Sequence, residues 1–321
     1  MTTEYQKKFI IITTINKPTQ ATIKYASFKD WQLIVVGDLK TPHVLYEDMK
    51  DVIYLHPDYQ SATYPELSEA IGWNKIQRRT IGFIEAYKRC ADIIASVDDD
   101  NIPLDDWGMH IVIGVPTDCY YYETNETCFD PLSATNYSHL WHRGFPLQLL
   151  KDKNKFKITR RTIVPDIQAN FWNGDPDIDA ICRMEHSPMC FFDENRFPFA
   201  TNVFSPFNQQ NTIITRKVLE HYLALPFIGR MDDIWPAYYV EALGFKVIYC
   251  KSTVFQDRNE QNLTKNMKDE FIGYEKTIEL LNAKTVVSEW LDFLPEEARN
   301  CFEEYRKEIE KYSGIGETFT A

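Results

Sequence analysis

A short apolar run, Ala91 to Val97, leads directly into three consecutive aspartates, Asp98, Asp99 and Asp100, and constrains this chain more than any other feature. A β-branched run of that length reads as a buried strand. What precedes it keeps the same rhythm. Lys8 to Ile15, Trp31 to Val36 and Val52 to Leu55 read as strands. Thr19 caps a helix through Phe28. Asn74 to Cys90 has helical spacing, with Ile76, Thr80, Phe83, Ile84 and Tyr87 on one side. Strands and helices alternating in this way predict βαβ units and a mostly parallel mixed sheet flanked by helices. In such sheets ligands bind beyond the carboxyl ends of the strands. Gly37-Asp38 and the three aspartates fall at those ends.

The second half is harder to read. From about Pro103 to Asn208 the chain is rich in Pro, Asn, Asp and aromatics, which predicts loops and short elements covering a site. Thr212 to Thr215 reads as a strand, Lys217 to Leu223 as a short helix, and Lys246 to Cys250 as a strand. Met231 to Leu243 reads as a helix with Pro236 near its start, where proline is best tolerated. Residues 266–321 predict two or three amphipathic helices, with a frayed tail from Ser313. The expected organisation is an α/β domain over 1–265 and a helical C-terminal extension over 266–321 packed on it.

The formal charge of −12 argues against a nucleic-acid partner, which needs clustered positive charge. The basic clusters Lys75 to Arg79 and Lys151 to Arg161 are local and fit a small anionic ligand better than a polymer. No apolar run approaches the roughly 20 residues of a membrane span. The apolar stretch from Phe9 to Ile15 is not followed by a small-residue cleavage site. Seven cysteines without a C-x-x-C pair predict free thiols in a reducing cytoplasm. There the sequons at Asn125, Asn136 and Asn262 would carry no glycan. A homo-oligomer is compatible with all of this.

Clustered carboxylates repel, and stay ionised together only beside a cation or basic groups. Hard oxygen ligands in that number suit Mn²⁺ or Mg²⁺, which completes its shell with waters and substrate phosphates. Asp98 and Asp100 are the expected metal ligands, with Asp98 and Asp99 also meeting the ligand. A helix cap or solvated turn is the alternative for a lone D-x-D, and the strand before it argues against that. His139 and His142 lack a third soft ligand nearby, so packing or sugar hydrogen bonding suits them better than zinc. P-loop, dinucleotide and hydrolase-elbow signatures are missing.

Four stretches go further: IASVDDDN over Ile94 to Asn101, WHRGFPL over Trp141 to Leu147, GDPDIDA over Gly174 to Ala180, and GRMDDIW over Gly229 to Trp235. In order and spacing they resemble nucleotide-sugar enzymes of the GT-A fold. More specifically they resemble the reversibly glycosylated polypeptides, which are UDP-arabinopyranose mutases, and the related STELLO glycosyltransferases. The resemblance implies a GT-A-like (Rossmann-like) α/β fold and a nucleoside diphosphate sugar as substrate. It puts Arg143 at the arginine that becomes glycosylated in the mutases. A guanidinium is a poor nucleophile, so a bidentate diphosphate clamp and a structural ion pair stay open beside that role. Asp232 and Asp233 either face the sugar as base or hydroxyl anchor, or cap the helix that they open. Asp175, Asp177 and Asp179 bind sugar hydroxyls or are solvated turn residues. Asp38, Lys75 and Arg79 are candidate nucleotide-sugar contacts, the last two at i, i+4 spacing on one helical face. Where many GT-A enzymes place a late histidine, this chain has Gln256 or Asp257. A mutase interconverting pyranose and furanose rings is the leading expectation, and a metal-dependent glycosyltransferase acting on a glycan acceptor is the alternative.

Overall fold

In the computed structural model, the described residues are 6–313 apart from 257, 259, 260 and 284. Four strands build the parallel half: β1 (Lys8–Thr14), β2 (Gln32–Gly37), β3 (Val52–Leu55) and β4 (Ile93–Val97). They lie in the order β3-β2-β1-β4. Ile10, Ile11 and Ile12 of β1 are fully buried, and each such side chain contributes about 1.5–3 kcal/mol. The crossovers are α1 (Gln20–Ala26), α2 (His43–Glu47), α3 (Pro57–Thr63), α4 (Pro65–Ile71) and α5 (Arg79–Lys88). Thr19 caps α1, its hydroxyl accepting from Thr22 N at 3.1 Å.

The expected helix from Asn74 is shorter than its pattern. Ile76–Arg78 is a 3₁₀ turn, and α5 starts only at Arg79. Lys75 is extended, with φ −133° and ψ 136°, so Lys75 and Arg79 do not share a helical face.

The rest of the sheet is β5 (Asn101–Pro103), β6 (Thr117–Glu123), β7 (Lys157–Ile163), β8 (Ile167–Gly174), β9 (Phe199–Thr201), β10 (Asn211–Thr215) and β11 (Val247–Gln256). The path continues from β4 through β10, β8, β11, β9 and β6 to β7, while β5 pairs with β11. β10 runs antiparallel to both β4 and β8, with Asn211 opposite Val97. That register brings the Gln209-Gln210 turn beside the aspartates, where Asp98 N donates to Gln210 O at 3.3 Å.

The region expected as loops therefore holds β6, β7, β8 and β9. Its strands escape the sequence pattern because they lack alternation. β7 is exposed along most of its length. β8 is buried yet polar, with Gln168 Nε2 donating to His110 O at 2.9 Å and to Asn170 Oδ1 at 2.8 Å.

The remaining helices are α6 (Ala180–His186), α7 (Ile234–Ala242), α8 (Leu263–Leu281), α9 (Val286–Glu289) and α10 (Glu296–Glu310). The short helix expected from Lys217 is a 3₁₀ turn over Arg216–Glu220. The C-terminal helices start at Leu263 and share the core of the sheet domain. Trp290 stacks on Tyr239 of α7 with ring centroids 5.0 Å apart, and Tyr305 OH donates to Tyr222 O at 3.2 Å. Beyond Ser313, the expected tail lies outside the described residues, as does Asp257. All seven cysteines are free thiols. No helix among the described residues is long and apolar enough to cross a membrane.

Candidate active site

Where β4 and β10 meet the start of α7, the chain encloses a cavity of about 710 Å³. It collects side chains from far apart in sequence: Lys75, Arg79, Asp98, Asp100, Arg143, Asp177, Asp232 and Asp233 all line it. A smaller cleft of about 230 Å³ adjoins it, sharing the Asn74–Ile76 segment, and is lined by Thr13, Thr14, Asn16, Asp38 and Asp99.

The three aspartates after β4 point three ways. Asp98 is ion-paired with Arg79. Arg79 is buried and also donates to Gln209 O at 2.9 Å and Val97 O at 3.3 Å, which fixes the strand end. Asp99 turns into the smaller cleft, accepting from Thr14 Oγ1 and from Asn16 Nδ2 at 3.0 Å. Asp100 faces the large cavity, and its Oδ1 is buried with no hydrogen-bond partner among the described residues. Burial, and then the charge of Asp98, push its pKa up to about 7.

Asp38 is a brace. Its carboxylate accepts from Leu39 N at 2.7 Å, Asn74 N at 2.8 Å and Lys75 N at 3.0 Å. It thereby fixes the segment that carries Lys75. The Lys75 ammonium lies 3.8 Å from the Phe227 ring centroid. It has no carboxylate within ion-pair distance among the described residues, and burial lowers its pKa.

Arg143 sits on the far wall with all five N–H groups engaged. Nε and Nη2 donate to the two Asp177 oxygens at 2.8 Å each. Nη1 and Nη2 donate to the two Asp233 oxygens at 2.9 and 3.3 Å. Nη1 also donates to Arg230 O. A clamp on diphosphate needs free donors, and in this geometry Arg143 has none. Its position is that of a structural ion pair. His142 is buried and bonds the Arg143 carbonyl through Nδ1 at 2.6 Å.

Asp232 and Asp233 do not cap α7. Asp233 occupies the N-cap position without a side-chain cap bond, because Arg143 and Gln209 N (3.0 Å) take its oxygens. Asp232 accepts from Gln77 Nε2 at 2.7 Å. Burial, then the neighbouring Asp233 charge, push its pKa up to about 7. Two adjacent carboxylates are thus set apart, one tied in an ion pair and one able to exchange a proton near neutrality.

The G-D-P-D loop is neither solvated nor free for hydroxyls. Asp175 pairs with Arg183 at 2.6 Å and is not among the cavity-lining residues. Asp177 also accepts from Asn208 Nδ2 at 2.7 Å. Burial opposes its ionisation, but Arg143 outweighs that and holds its pKa well below the usual carboxylate range. Asp179 caps α6, accepting from Cys182 N at 2.7 Å.

At the late position, Gln256 closes an amide network, accepting from Gln210 Nε2 at 2.9 Å and Arg258 Nη2 at 3.0 Å. Gln77, Gln209, Gln210, Arg230, Gln256, Arg258 and Lys265 also line the cavity. Of these only Gln256 was singled out from sequence, as the residue at the late-histidine position. Arg230 stands inside the G-R-M-D-D stretch and was readable from it; the other glutamines sit in runs with no distinguishing pattern.

Fold and site together define an α/β protein with a mixed sheet and a carboxylate-lined cavity at the strand ends. No family model matches the chain. The chain is similar to two Arabidopsis thaliana proteins, probable glycosyltransferases STELLO2 and STELLO1. Each is 22% identical to it over 302 and 309 residues respectively, covering 86% of the chain. The chain spans 39% of the length of each of these relatives. Among solved structures, glucosyl-3-phosphoglycerate synthase from Mycobacterium tuberculosis in complex with phosphoglyceric acid aligns with a TM-score of 0.44 at 12% identity. That alignment covers 86% of this chain and 80% of the other.

Proposed function

We propose that the chain is the catalytic part of a metal-dependent GT-A glycosyltransferase, moving a sugar from a nucleoside diphosphate to a glycan acceptor. The observation that carries this reading is the unpartnered buried oxygen of Asp100, in the cavity where Asp98, Lys75 and Asp232 converge. The plant relatives bear the name of probable glycosyltransferases, which ranks transfer ahead of the mutase expected from the motifs. The mutase reading leaned on Arg143 meeting substrate, and its committed donors weigh against that.

The donor set fits Mn²⁺ or Mg²⁺. Asp100 Oδ1 has no hydrogen-bond partner among the described residues, and Asp98 stands beside it. No group of three or more His, Cys, Asp or Glu among the described residues could hold an ion alone, so the remaining ligands would be substrate phosphates and water. When bound, the ion supplies charge stabilisation to the departing diphosphate. The chain's own residues supply the rest. The smaller cleft, with Asn16 and Asp99, receives the nucleoside. Lys75, at the junction of the two clefts, meets the phosphates. Asp232, near neutral pKa, takes the proton of the acceptor hydroxyl as general base. Asp233, ion-paired with Arg143, holds the loop that carries Asp232 in place.

The test is a panel of nucleotide sugars incubated with Mn²⁺, with and without glycan acceptors, read by mass spectrometry and proton NMR. A sugar-extended acceptor, with nucleoside diphosphate released only in its presence, is the expected result. A new isomer of the donor without any acceptor would instead establish the mutase.

A further inference from the structure

The cavity needs a fixed cation on its far wall, and Arg143 is committed elsewhere. We infer that Arg230, oriented by Glu270 of α8, is the cation that receives the donor diphosphate; this rests on the function proposed above.

Three observations carry the assignment. Arg230 lines the cavity with its side chain 27% exposed, while its Nε is fixed by Glu270 Oε1 at 2.8 Å. Its closest other carboxylate contact among the described residues is Asp177 at 3.9 Å, beyond a hydrogen bond, so among those residues the outer guanidinium nitrogens are free for a ligand. Glu270 is itself locked, with 1% exposure. Its Oε2 accepts from Ala180 N at 2.8 Å and Tyr274 OH at 2.5 Å. A carboxylate so buried holds one geometry, and through it one orientation of Arg230.

The packing that allows this is specific. Gly229 has φ +57°, and a Cβ there would lie 1.8 Å from Asp269 O, so the loop rests directly on the α8 backbone. A Cβ on Gly273, one turn along α8, would lie 2.5 Å from Met231 Sδ. Two glycines, one on each partner, let loop and helix approach until Glu270 reaches Arg230. The C-terminal helix thus completes the site. A guanidinium with a free edge binds phosphate oxygens through paired N–H donors.

The test is calorimetric binding of UDP, GDP, CDP and ADP in the presence of Mn²⁺, each against its own nucleoside. Arg230→Gln is expected to weaken the best diphosphate by about 10-fold or more. Glu270→Gln, isosteric and uncharged, is expected to weaken it by about 3- to 10-fold with nucleoside affinity unchanged. The double variant should bind no worse than Arg230→Gln alone, since Glu270 acts only through Arg230. Wild-type diphosphate affinity in Glu270→Gln, additive losses, or an equal loss for the nucleoside would each overturn the assignment while leaving the proposed function intact. A wild-type protein that binds none of the four diphosphates overturns the proposed function, and this assignment with it.

Discussion

Two pairs of aspartates, Asp98 with Asp100 and Asp232 with Asp233, face the same cavity, and they reach it by different routes. Asp98 and Asp100 follow β4, and the parallel strands β1, β2 and β4 deliver the residues after them to this edge. Asp232 and Asp233 reach it only because a long-range ion pair, Arg143 with Asp177 and Asp233, ties the loop before α7 to the G-D-P-D loop. Yet the outcome is alike. In each group one carboxylate is ion-paired (Asp98 with Arg79, Asp233 with Arg143), and the other, Asp100 or Asp232, has its pKa raised to about 7. Paired acids are set to different tasks by their surroundings rather than by their own chemistry.

The comparison breaks most visibly at Arg143. Arg143→Met would leave Asp177 and Asp233 as facing carboxylates in a buried place. A loss of about 3–5 kcal/mol is expected in urea unfolding. A loss below 1 kcal/mol would mean the second group does not depend on that ion pair. Asp100→Asn tests the first group. Metal-dependent turnover should fall roughly 100-fold with the fold intact by circular dichroism, and a variant as active as wild type across a Mn²⁺ titration would remove the proposed metal site.

A smaller effect separates Asp232 from its neighbour. Its folded pKa of about 7 lies above the ordinary aspartate value of 3.8. Its stabilising contribution is therefore complete below pH 3.8 and is lost as pH rises through 7. Asp232→Asn should be about 1–2 kcal/mol more stable than wild type at pH 8 and no more stable near pH 4. Thermal unfolding at the two pH values reads this directly, and equal differences at both would contradict it. In wild type the transfer rate should rise with pH through about 7. Smallest of all, Gln77→Ala removes the hydrogen bond that lowers the Asp232 pKa. The rising limb of that pH profile should move to higher pH; movement to lower pH would rule out Gln77 as the donor that sets it.

Much of the first group was legible. β1 to β4 fall within a residue or two of their apolar runs, and the run before Asp98 ends where the strand does. The α5 start was not legible, since Lys75 and Arg79 have helical spacing but Asp38 holds Lys75 in an extended backbone. Nor were β6 to β9, whose buried Gln168 and Asn170 satisfy each other out of sight of any hydrophobic period. Arg143 was found by motif, but its partners Asp177 and Asp233 lie 34 and 90 residues on. No local pattern states that pairing.

By itself, then, the sequence determined that the segments of β1 to β4 become strands and that acidic residues gather at their ends, because side-chain period and apolar content act over a few neighbours. Tertiary structure alone decided which of those acids are paired with an arginine, which arginine has its donors committed, and that α8 lines the cavity. Charge state and donor supply depend on burial and on partners distant along the chain, and those are properties of the packed molecule.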